Sequence, residues 1–347
     1  MTVSSPLHRR ALAATAALGV LTLAGCTADS SAAVTSAAAA SSTSSSAAVS
    51  FTASPAGSAV TPVTPALTVT GPGGETVTLT KRPERIVCLT GICDDVLVEL
   101  GLQPVGTTTP DLLALPEFLG DKAAEVATVD GSFGNEDVAS IAALKPDLVI
   151  GLAGAHDQLR SAVEQFAPLW LMDVTGWQDS VGYLRAMATL TDRPEQQVTA
   201  EQAFTQSLDR AHTASTQQGL AATRAMAMYS SGAGMGVNTQ DDLLGGLLGE
   251  VFAYPWPNKG GGWDTAQAYS VEEILAVDPQ LIFVQSFTSS PDAPKASTEL
   301  AATPVWQQID AVRTGKVVEV DTALWTAGRG PRALGLVLDQ AVAAAQS

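Results

Sequence analysis

Two segments of the chain repeat one pattern, in which an amphipathic helix stops at a proline and leads into a fully apolar strand. They are Val138–Ile150, with Pro146, and Val271–Phe283, with Pro279. Proline lacks a backbone donor and disfavours helical geometry in the residue before it, so each helix is predicted to end there. Continuous apolar strands are typical of a sheet that is buried on both faces. The repeat therefore predicts two equivalent α/β halves.

Short apolar strands alternate with helices through the chain beyond residue 66. A β-hairpin is predicted over residues 66–80, where apolar and polar residues alternate around a glycine-rich turn. The other strands are predicted at residues 85–89, 104–107, 147–151, 169–174, 225–229, 281–285 and 316–320. Helices are predicted at residues 94–100, 138–144, 158–166, 243–248, 271–277, 306–312 and 333–345. This alternation favours parallel sheets with helices on both faces.

The stretch from residue 178 to residue 219 contains almost no glycine or proline and has apolar residues at helical spacing. A break at residues 191–194 indicates either two consecutive helices or one interrupted helix. The predicted fold class is α/β, with an N-terminal lobe at residues 67–177, a helical connection at 178–219 and a C-terminal lobe at 220–347.

The first 66 residues have a different character. Arg9 and Arg10 precede a short uncharged apolar run that ends at Leu23-Ala24-Gly25-Cys26, which is typical of an export signal over residues 1–25. The tetrapeptide resembles the lipobox of bacterial lipoproteins, which implies a lipid on Cys26. Residues 26–66 are rich in Ser, Ala, Thr and Pro and are predicted to be a disordered tether. We expect an exported protein that is lipid-anchored to the outer face of the cytoplasmic membrane.

Charge and cysteine content limit the partners and the redox state. Removal of Arg9 and Arg10 with the signal leaves 16 basic and 35 acidic residues, a net charge of −19. Such a surface repels nucleic acid and anionic lipid. With Cys26 set aside as the lipid site, Cys88 and Cys93 remain as free thiols or as one short disulfide. Asp94 and Asp95 follow directly and are predicted to stabilise the N-terminus of their own helix.

An ordered set of motifs runs through the two predicted lobes: Pro83–Val87, Val96–Leu102, Pro104–Gly106, the two helix-Pro-strand units, Thr303–Trp306, Ala311-Val312 and Gly315–Val317. Together they resemble the motifs of the iron-siderophore, haem and cobalamin group of ABC-importer substrate-binding proteins. The resemblance implies two Rossmann-like lobes joined by a long helix, with the ligand in the cleft between them. It also implies one glutamate on each lobe that docks against the membrane permease. Glu272 matches in the second lobe, whereas Ala139 occupies the equivalent first-lobe position and Glu136 is the nearest substitute.

Ligand contacts are expected in the loops that follow the carboxyl ends of the strands. Ferric siderophores present apolar faces and oxygen atoms, which suit aromatic rings and guanidinium donors. The candidate ligand-binding residues are Trp325, Arg329, Arg332, Trp263, Tyr229, Met235 and Trp177. For Arg332 the alternative is an ordinary surface ion pair, and for Trp263 and Trp177 it is packing.

We therefore expect a non-enzymatic receptor that captures an iron complex, most simply a ferric siderophore, and delivers it to an ABC-transporter permease. A haem or cobalamin receptor is the alternative within the same architecture, with Tyr229, Met235 or His156 as axial ligands to haem. A zinc or manganese receptor is disfavoured because the chain beyond the signal has only His156 and His212. A hydrolase is disfavoured because no Gly-x-Ser-x-Gly elbow occurs. An envelope lipoprotein without a transport role stays open, and no resident metal or cofactor is expected.

Overall fold

The computed structural model describes residues 59–231, 234–260, 267–288 and 293–347. The strands are β1 (Thr68–Thr70), β2 (Thr76–Thr78), β3 (Ile86–Cys88), β4 (Gly106–Thr107), β5 (Ala127–Thr128), β6 (Gly131–Ser132), β7 (Asn135–Glu136), β8 (Leu148–Leu152), β9 (Leu169–Met172), β10 (Ala225–Ser231), β11 (Gly234–Val237), β12 (Leu281–Ser286) and β13 (Val317–Glu319). The signal, Cys26 and Trp263 lie outside the described residues.

The α-helices are α1 (Gly91–Glu99), α2 (Pro110–Ala114), α3 (Val138–Ala143), α4 (Arg160–Val163), α5 (Trp177–Thr191), α6 (Pro194–Gln218), α7 (Leu243–Gly249), α8 (Val271–Val277), α9 (Ala296–Leu300), α10 (Asp310–Arg313) and α11 (Pro331–Gln346). Short 3₁₀ helices cover Gly120–Glu125, Asp157–Leu159, Leu220–Ala222 and Trp306–Gln308, and a π-helical turn covers Ala323–Ala327. Within the described ranges no helix is long and apolar enough to cross a membrane.

The first lobe is built on a five-stranded parallel sheet in the order β5-β4-β3-β8-β9. Successive side chains of a strand point to opposite faces, and both faces here are apolar. Ile86 and Cys88 belong to the core on one face, whereas Val87 and Leu89 belong to the core on the other. Helices therefore cover both faces, as the continuous apolar strands predict.

The second lobe is built on a four-stranded sheet in the order β11-β10-β12-β13. Strands β10, β12 and β13 are parallel, and β11 returns antiparallel to β10. One large core joins this sheet to α7, α8 and the final helix α11. The hairpin β1–β2 is also present, with Val69 opposite Val77.

The helix-Pro-strand repeat forms equivalent structures in the two lobes. Lys145 and Asp278, each directly before the proline, adopt left-handed backbone angles with φ of 48° and 54° and end the helical segment. The Nε of Arg85 donates to the carbonyl of Lys145 at 3.0 Å, and the Nε of Arg224 donates to the carbonyl of Asp278 at 3.0 Å. The same arginine clamp thus fixes both helix ends, and the predicted repeat is confirmed.

Two consecutive helices, α5 and α6, connect the lobes. The break falls at Asp192, whose φ is 57°, and at Pro194, which begins α6. On α5, Tyr183 and Leu184 belong to the first-lobe core, whereas Phe204 on α6 belongs to the second-lobe core. The connection is therefore packed along its length, because α5 and α6 each contribute apolar side chains to the cores of both lobes.

The structure differs from the sequence-based expectations at several places. Disorder was expected through residue 66, but the amide of Val63 donates to Gln197 Oε1 at 3.2 Å and that of Ala66 donates to the Thr189 carbonyl at 3.1 Å. These bonds hold the end of the tether against the connecting helices. The helices expected at 158–166 and 306–312 are each divided into a 3₁₀ turn and a short α-helix. The short elements α2, β6 and β7 had no clear periodicity.

Candidate functional site

The carboxyl ends of the parallel strands define one edge of each sheet, and the two lobes contact each other near these edges. A Cβ placed on Gly91, at the start of α1, would lie 2.1 Å from the carbonyl oxygen of Ala327 in the second lobe. Ser180 on α5 donates its hydroxyl to the carbonyl of Arg329 at 2.6 Å. The lobes thus meet at a close contact beside these edges, and we call this contact the floor of the interlobe cleft.

Arg329 lies at this floor and is half-buried. Its Nε donates to the carbonyl of Thr326 at 3.1 Å, and its two terminal nitrogens have no hydrogen-bond or ion-pair partner among the described residues. Burial lowers the pKa of the Arg329 guanidinium, and the negative charge of Asp242 opposes that change. A desolvated guanidinium with free donors can bind an oxygen-rich ligand.

A chain of polar side chains connects Asp242 to the neighbourhood of Arg329. Asn238 Nδ2 donates to Asp242 Oδ2 at 3.2 Å, Gln285 Nε2 donates to Asn238 Oδ1 at 2.9 Å, and Thr326 Oγ1 donates to Gln285 Oε1 at 2.7 Å. Asp242 also caps α7 through the Gly245 amide at 2.7 Å. Burial raises the pKa of Asp242, and these donors oppose the rise. The chain fixes the segment that carries Arg329.

Two exposed phenylalanines stand beside the carboxyl edges, one on each lobe. Phe133, between β6 and β7, is 64% exposed, and Phe287, the first residue after β12, is 43% exposed. Exposed rings of this size in a cleft region suit the apolar face of a ligand. Sequence reasoning included their loops but missed both residues. The available signal was a single aromatic residue in a short Gly/Ser-rich segment after each strand.

Glu136 is buried and does not reach the surface that a permease could contact. Its Oε1 lies 3.2 Å from His156 Nε2 and accepts the Gly134 amide at 2.9 Å. His156 is fully buried, with its Nδ1 accepting the Leu152 amide at 2.9 Å. The assignment of Glu136 as a docking residue is therefore wrong. The pair instead fastens the loop that carries Phe133 to the loop after β8.

Two tryptophans predicted at the ligand site pack in the core of the second lobe. Trp325 is 3% exposed, its ring centroid is 4.8 Å from that of Phe283, and its Nε1 donates to Gln340 Oε1 at 2.8 Å. Trp177 begins α5 and packs against Phe204 at 5.7 Å between ring centroids. Neither ring faces the cleft, because both pack into the apolar core behind the strands.

Tyr229 and Met235 lie on the β10–β11 hairpin. The Tyr229 hydroxyl donates to Gln267 Oε1 at 2.6 Å, and its ring lies against Gly236, where a Cβ would come within 2.3 Å of ring atoms. Met235 packs against the second-lobe core. Tyr229 is half-buried near the carboxyl end of its strand and stays a candidate ligand contact. The Met235 side chain packs against the core instead. Trp263 belongs to residues that the structure does not describe.

Arg332 bridges the lobes instead of facing the cleft. Its Nη1 donates to the Glu117 carbonyl at 2.8 Å, and its Nε lies 3.6 Å from Glu99 Oε1 in α1. The guanidinium also lies 6.0 Å from the centre of the Phe118 ring. The predicted ligand contact is therefore replaced by an ion pair between the first helix of one lobe and the final helix of the other.

Asp94 lies in the first turn of α1, as predicted, whereas Asp95 follows that turn; both side chains are buried, and neither caps the helix by a hydrogen bond. Asp94 Oδ2 accepts the Thr107 hydroxyl at 2.6 Å. Asp95 instead accepts the amides of Arg332 and Ala333, at 3.2 and 2.9 Å, and caps α11. Burial raises the pKa of each carboxyl to about 8, and for Asp95 the charge of Glu99 adds to that rise.

Cys88 and Cys93 form a disulfide that closes the loop between β3 and α1. Both residues are fully buried, and the loop includes Gly91, which abuts Ala327. The disulfide therefore stiffens the first-lobe side of the cleft floor. Of the two predicted states of this cysteine pair, free thiols or a disulfide, the structure has the disulfide.

Glu272 is exposed at the second position of α8. It forms no hydrogen bond or ion pair within the part of the chain that the structure describes, whereas its neighbour Glu273 pairs with Lys259 at 2.6 Å and completes the capping box with Ser270. An exposed carboxylate with no partner remains available for a docking contact. In the same described ranges, no three His, Cys, Asp or Glu side chains come together as metal ligands.

Comparison with known proteins places these observations in one family. A family model described as periplasmic binding protein matches residues 86–324. The probable siderophore-binding lipoprotein YfiY of Bacillus subtilis is 25% identical over 74% of this chain and 81% of its own. The Fe(3+) dicitrate-binding periplasmic protein FecB of Escherichia coli is 24% identical, with coverage of 74% and 82%.

A solved structure shares the fold. The iron uptake ABC transporter substrate-binding protein PiuA of Streptococcus pneumoniae superposes with a TM-score of 0.62 at 22% identity, over 81% of this chain and 98% of PiuA. At this identity the likeness shows the fold alone. It agrees with the two parallel-sheet lobes and their helical connection.

Proposed function

The chain belongs to the periplasmic binding protein family, and on that premise we propose that it captures a ferric chelate in the interlobe cleft and presents it to an ABC importer. The observation that carries the proposal is the half-buried guanidinium of Arg329 at the cleft floor, with its terminal nitrogens free among the described residues. The names of YfiY and FecB, which refer to a siderophore and to ferric dicitrate, support iron complexes as the ligand class.

In this proposal the protein binds its ligand without changing it chemically. A ferric chelate brings its own iron ligands, so the protein needs apolar surface and a few oriented donors. Phe133 and Phe287 supply rings at the two carboxyl edges, and Arg329 supplies N–H donors to a ligand oxygen. The polar chain from Asp242 to Thr326 keeps those donors in place.

Delivery would use the exposed Glu272, with Cys26 as the lipid attachment that keeps the receptor close to its permease. Two acyl or alkyl chains give the stable anchoring that one chain does not. The long segment after Cys26 leaves the lobes free to reach the permease. The partners in this proposal are therefore a permease and a small iron chelate.

The haem alternative is disfavoured by the environment of its axial candidates. Both ring nitrogens of His156 have partners, at Leu152 and Glu136. The Tyr229 hydroxyl donates to Gln267, and Met235 packs against the core. Each of these groups would have to leave an existing contact before it could bind haem iron.

The proposal is tested by tryptophan-fluorescence titration of the purified protein with ferric hydroxamates, ferric catecholates, haem and cobalamin. We expect quenching at micromolar or lower concentrations of a ferric chelate. The variant Arg329→Ala should weaken binding by about 1–3 kcal/mol, the scale of a lost hydrogen bond to a charged group. Arg313→Ala, on the exposed helix α10, is the matched control. Absence of quenching by every iron complex would reject the proposal.

A further inference from the structure

The segments that follow the strands of the first lobe carry no lysine or arginine. They comprise residues 89–90, 108–109, 129–137, 153–156 and 173–176. Asp130, two residues beyond β5, and Asp173, directly beyond β9, are both exposed, and Asp173 lies beside Gly73 of the β1–β2 turn. The histidine in this set, His156, is buried against Glu136. The carboxyl edge of the first lobe is therefore acidic.

The corresponding described segments of the second lobe, residues 287–288, 293–295 and 320–330, contain two basic residues, Lys295 and Arg329. Lys295 directly precedes α9, where the Ser297 amide donates to Glu319 Oε1 at 3.0 Å. The positive charge of Arg329 is partly compensated by the negative charge of Asp242. Asp321 adds a further exposed carboxylate.

Three other basic side chains have their partners away from these edges. Arg85 and Arg224 lie at the opposite, amino ends of β3 and β10, where they hold helix carbonyls. Arg185, on α5, is paired with Glu201 of α6. A polyanionic complex would therefore meet two basic side chains in the described edge segments, Lys295 and the compensated Arg329, together with several carboxylates.

From this charge distribution we infer that the cleft selects ferric complexes with zero or positive net charge, an inference that rests on the proposed function. Three hydroxamates carry three negative charges and neutralise Fe³⁺, whereas three catecholates leave a net charge of −3. Burial of an uncompensated charge between the lobes is strongly unfavourable. A neutral tris-hydroxamate complex still offers oxygen atoms to Arg329 and hydrocarbon to Phe133 and Phe287.

The test compares four probes by calorimetry at low ionic strength: ferrichrome, which is neutral, ferrioxamine B, which is cationic, and the polyanions ferric enterobactin and ferric dicitrate. We expect the first two to bind at least roughly 100-fold more tightly than the polyanions, since like charges at an interface cost several kcal/mol. Equal or tighter binding of a polyanion would overturn the inference and leave the proposed function intact. Failure of all four to bind would overturn both.

Charge-reversal variants provide a second measurement that does not depend on the first ranking. Asp130→Lys together with Asp173→Lys should reduce the preference against ferric enterobactin by on the order of 10-fold, because both positions lie at the carboxyl edge. The double variant Asp121→Lys, Glu125→Lys, at exposed positions of the 3₁₀ helix before β5, is the matched control for total charge. An equal effect of the control would show that net charge, and not the cleft, sets the preference.

Discussion

Asp95 of the first lobe caps the final helix of the second lobe, with its Oδ2 accepting the Ala333 amide at 2.9 Å. The same carboxyl accepts the Arg332 amide, and a Cβ on Gly330 would lie 2.3 Å from its Cγ. One side chain thus joins the lobes beside the segment that carries Arg329. The position of the cleft floor therefore depends on a contact between residues more than two hundred positions apart.

Removal of this cap should destabilise the protein. Asp95→Ala leaves two amides at the start of α11 without their acceptor, and we expect a loss of about 1–2 kcal/mol in the free energy of unfolding. Urea denaturation followed by circular dichroism measures it. Asp95→Asn keeps one acceptor oxygen and should lose less, so equal losses for the two variants would contradict the capping role.

Stability should fall as the pH rises from about 4 to about 8. In the unfolded chain an aspartate ionises near pH 4, whereas burial holds the pKa of Asp94 and Asp95 at about 8 in the folded state. Between these values the folded state binds more protons, so each pH unit favours unfolding. Thermal melts from pH 4 to 9 should show this decline and a plateau above pH 8.

The variant Asp94→Asn isolates one of the two groups. It removes a buried ionisable side chain while keeping an acceptor for the Thr107 hydroxyl. We expect the decline with pH to become shallower by up to about 1.4 kcal/mol per pH unit, the limit for one proton. Asp121→Asn, at an exposed position, is the control. An unchanged slope in Asp94→Asn would contradict the assignment.

The disulfide should contribute about 2 kcal/mol, because the loop it closes is short. The double variant Cys88→Ala, Cys93→Ala removes it without leaving an unpaired thiol. Urea denaturation of both proteins, with and without reductant, gives the contribution directly. Reductant should lower the stability of the parent chain and leave the double variant unchanged.

The two exposed phenylalanines should contribute to affinity and little to stability. Phe133→Ala and Phe287→Ala each remove an aromatic contact, for which we expect a loss of about 0.5–1.5 kcal/mol in binding free energy. Unfolding should change by less than about 0.5 kcal/mol, as for other exposed positions. Phe166→Ala removes a ring that is 39% exposed outside the carboxyl edges and is the control. An equal loss of affinity in the control would argue against ligand contact by Phe133 and Phe287.

The two candidate docking glutamates, Glu272 and Glu136, should respond differently to substitution. Glu272→Ala should reduce ligand uptake in cells and leave ligand affinity unchanged, because the side chain is exposed and forms no hydrogen bond or ion pair among the described residues. Glu299→Ala, on the exposed side of α9, is the control. Glu136→Ala should instead lower stability, since it leaves buried His156 without its partner. Normal uptake with Glu272→Ala would remove it from the docking surface.

The fold was accessible from the sequence because its signals are local. Proline after an amphipathic helix and an apolar run after proline mark the units at Val138 and Val271, and both formed as expected. Short elements such as α2 and β6 have too few residues for a periodic pattern. The tether end, residues 59–66, acquires its structure from Gln197 and Thr189, which the local sequence does not indicate.

The site was less accessible because it depends on which surfaces meet. Trp325 and Phe287 both follow second-lobe strands, yet one ring packs on Phe283 and the other is exposed. Both are aromatic residues in loops that follow strands. Nothing in the sequence distinguished them, and the prediction favoured the larger ring of Trp325. The predicted docking role of Glu136 was wrong for the same reason, because its contact with His156 is a tertiary contact.

The sequence by itself determined the two α/β halves, the helical connection and the scarcity of positive charge after the strands, since these follow from periodicity, proline positions and composition. Only the tertiary structure decided the roles of single side chains. It placed Arg329 at the cleft floor, turned Arg332 and Asp95 into bridges between lobes and buried Glu136. The physical reason is that burial and partner choice are set by surfaces distant in the chain, which local propensity does not contain.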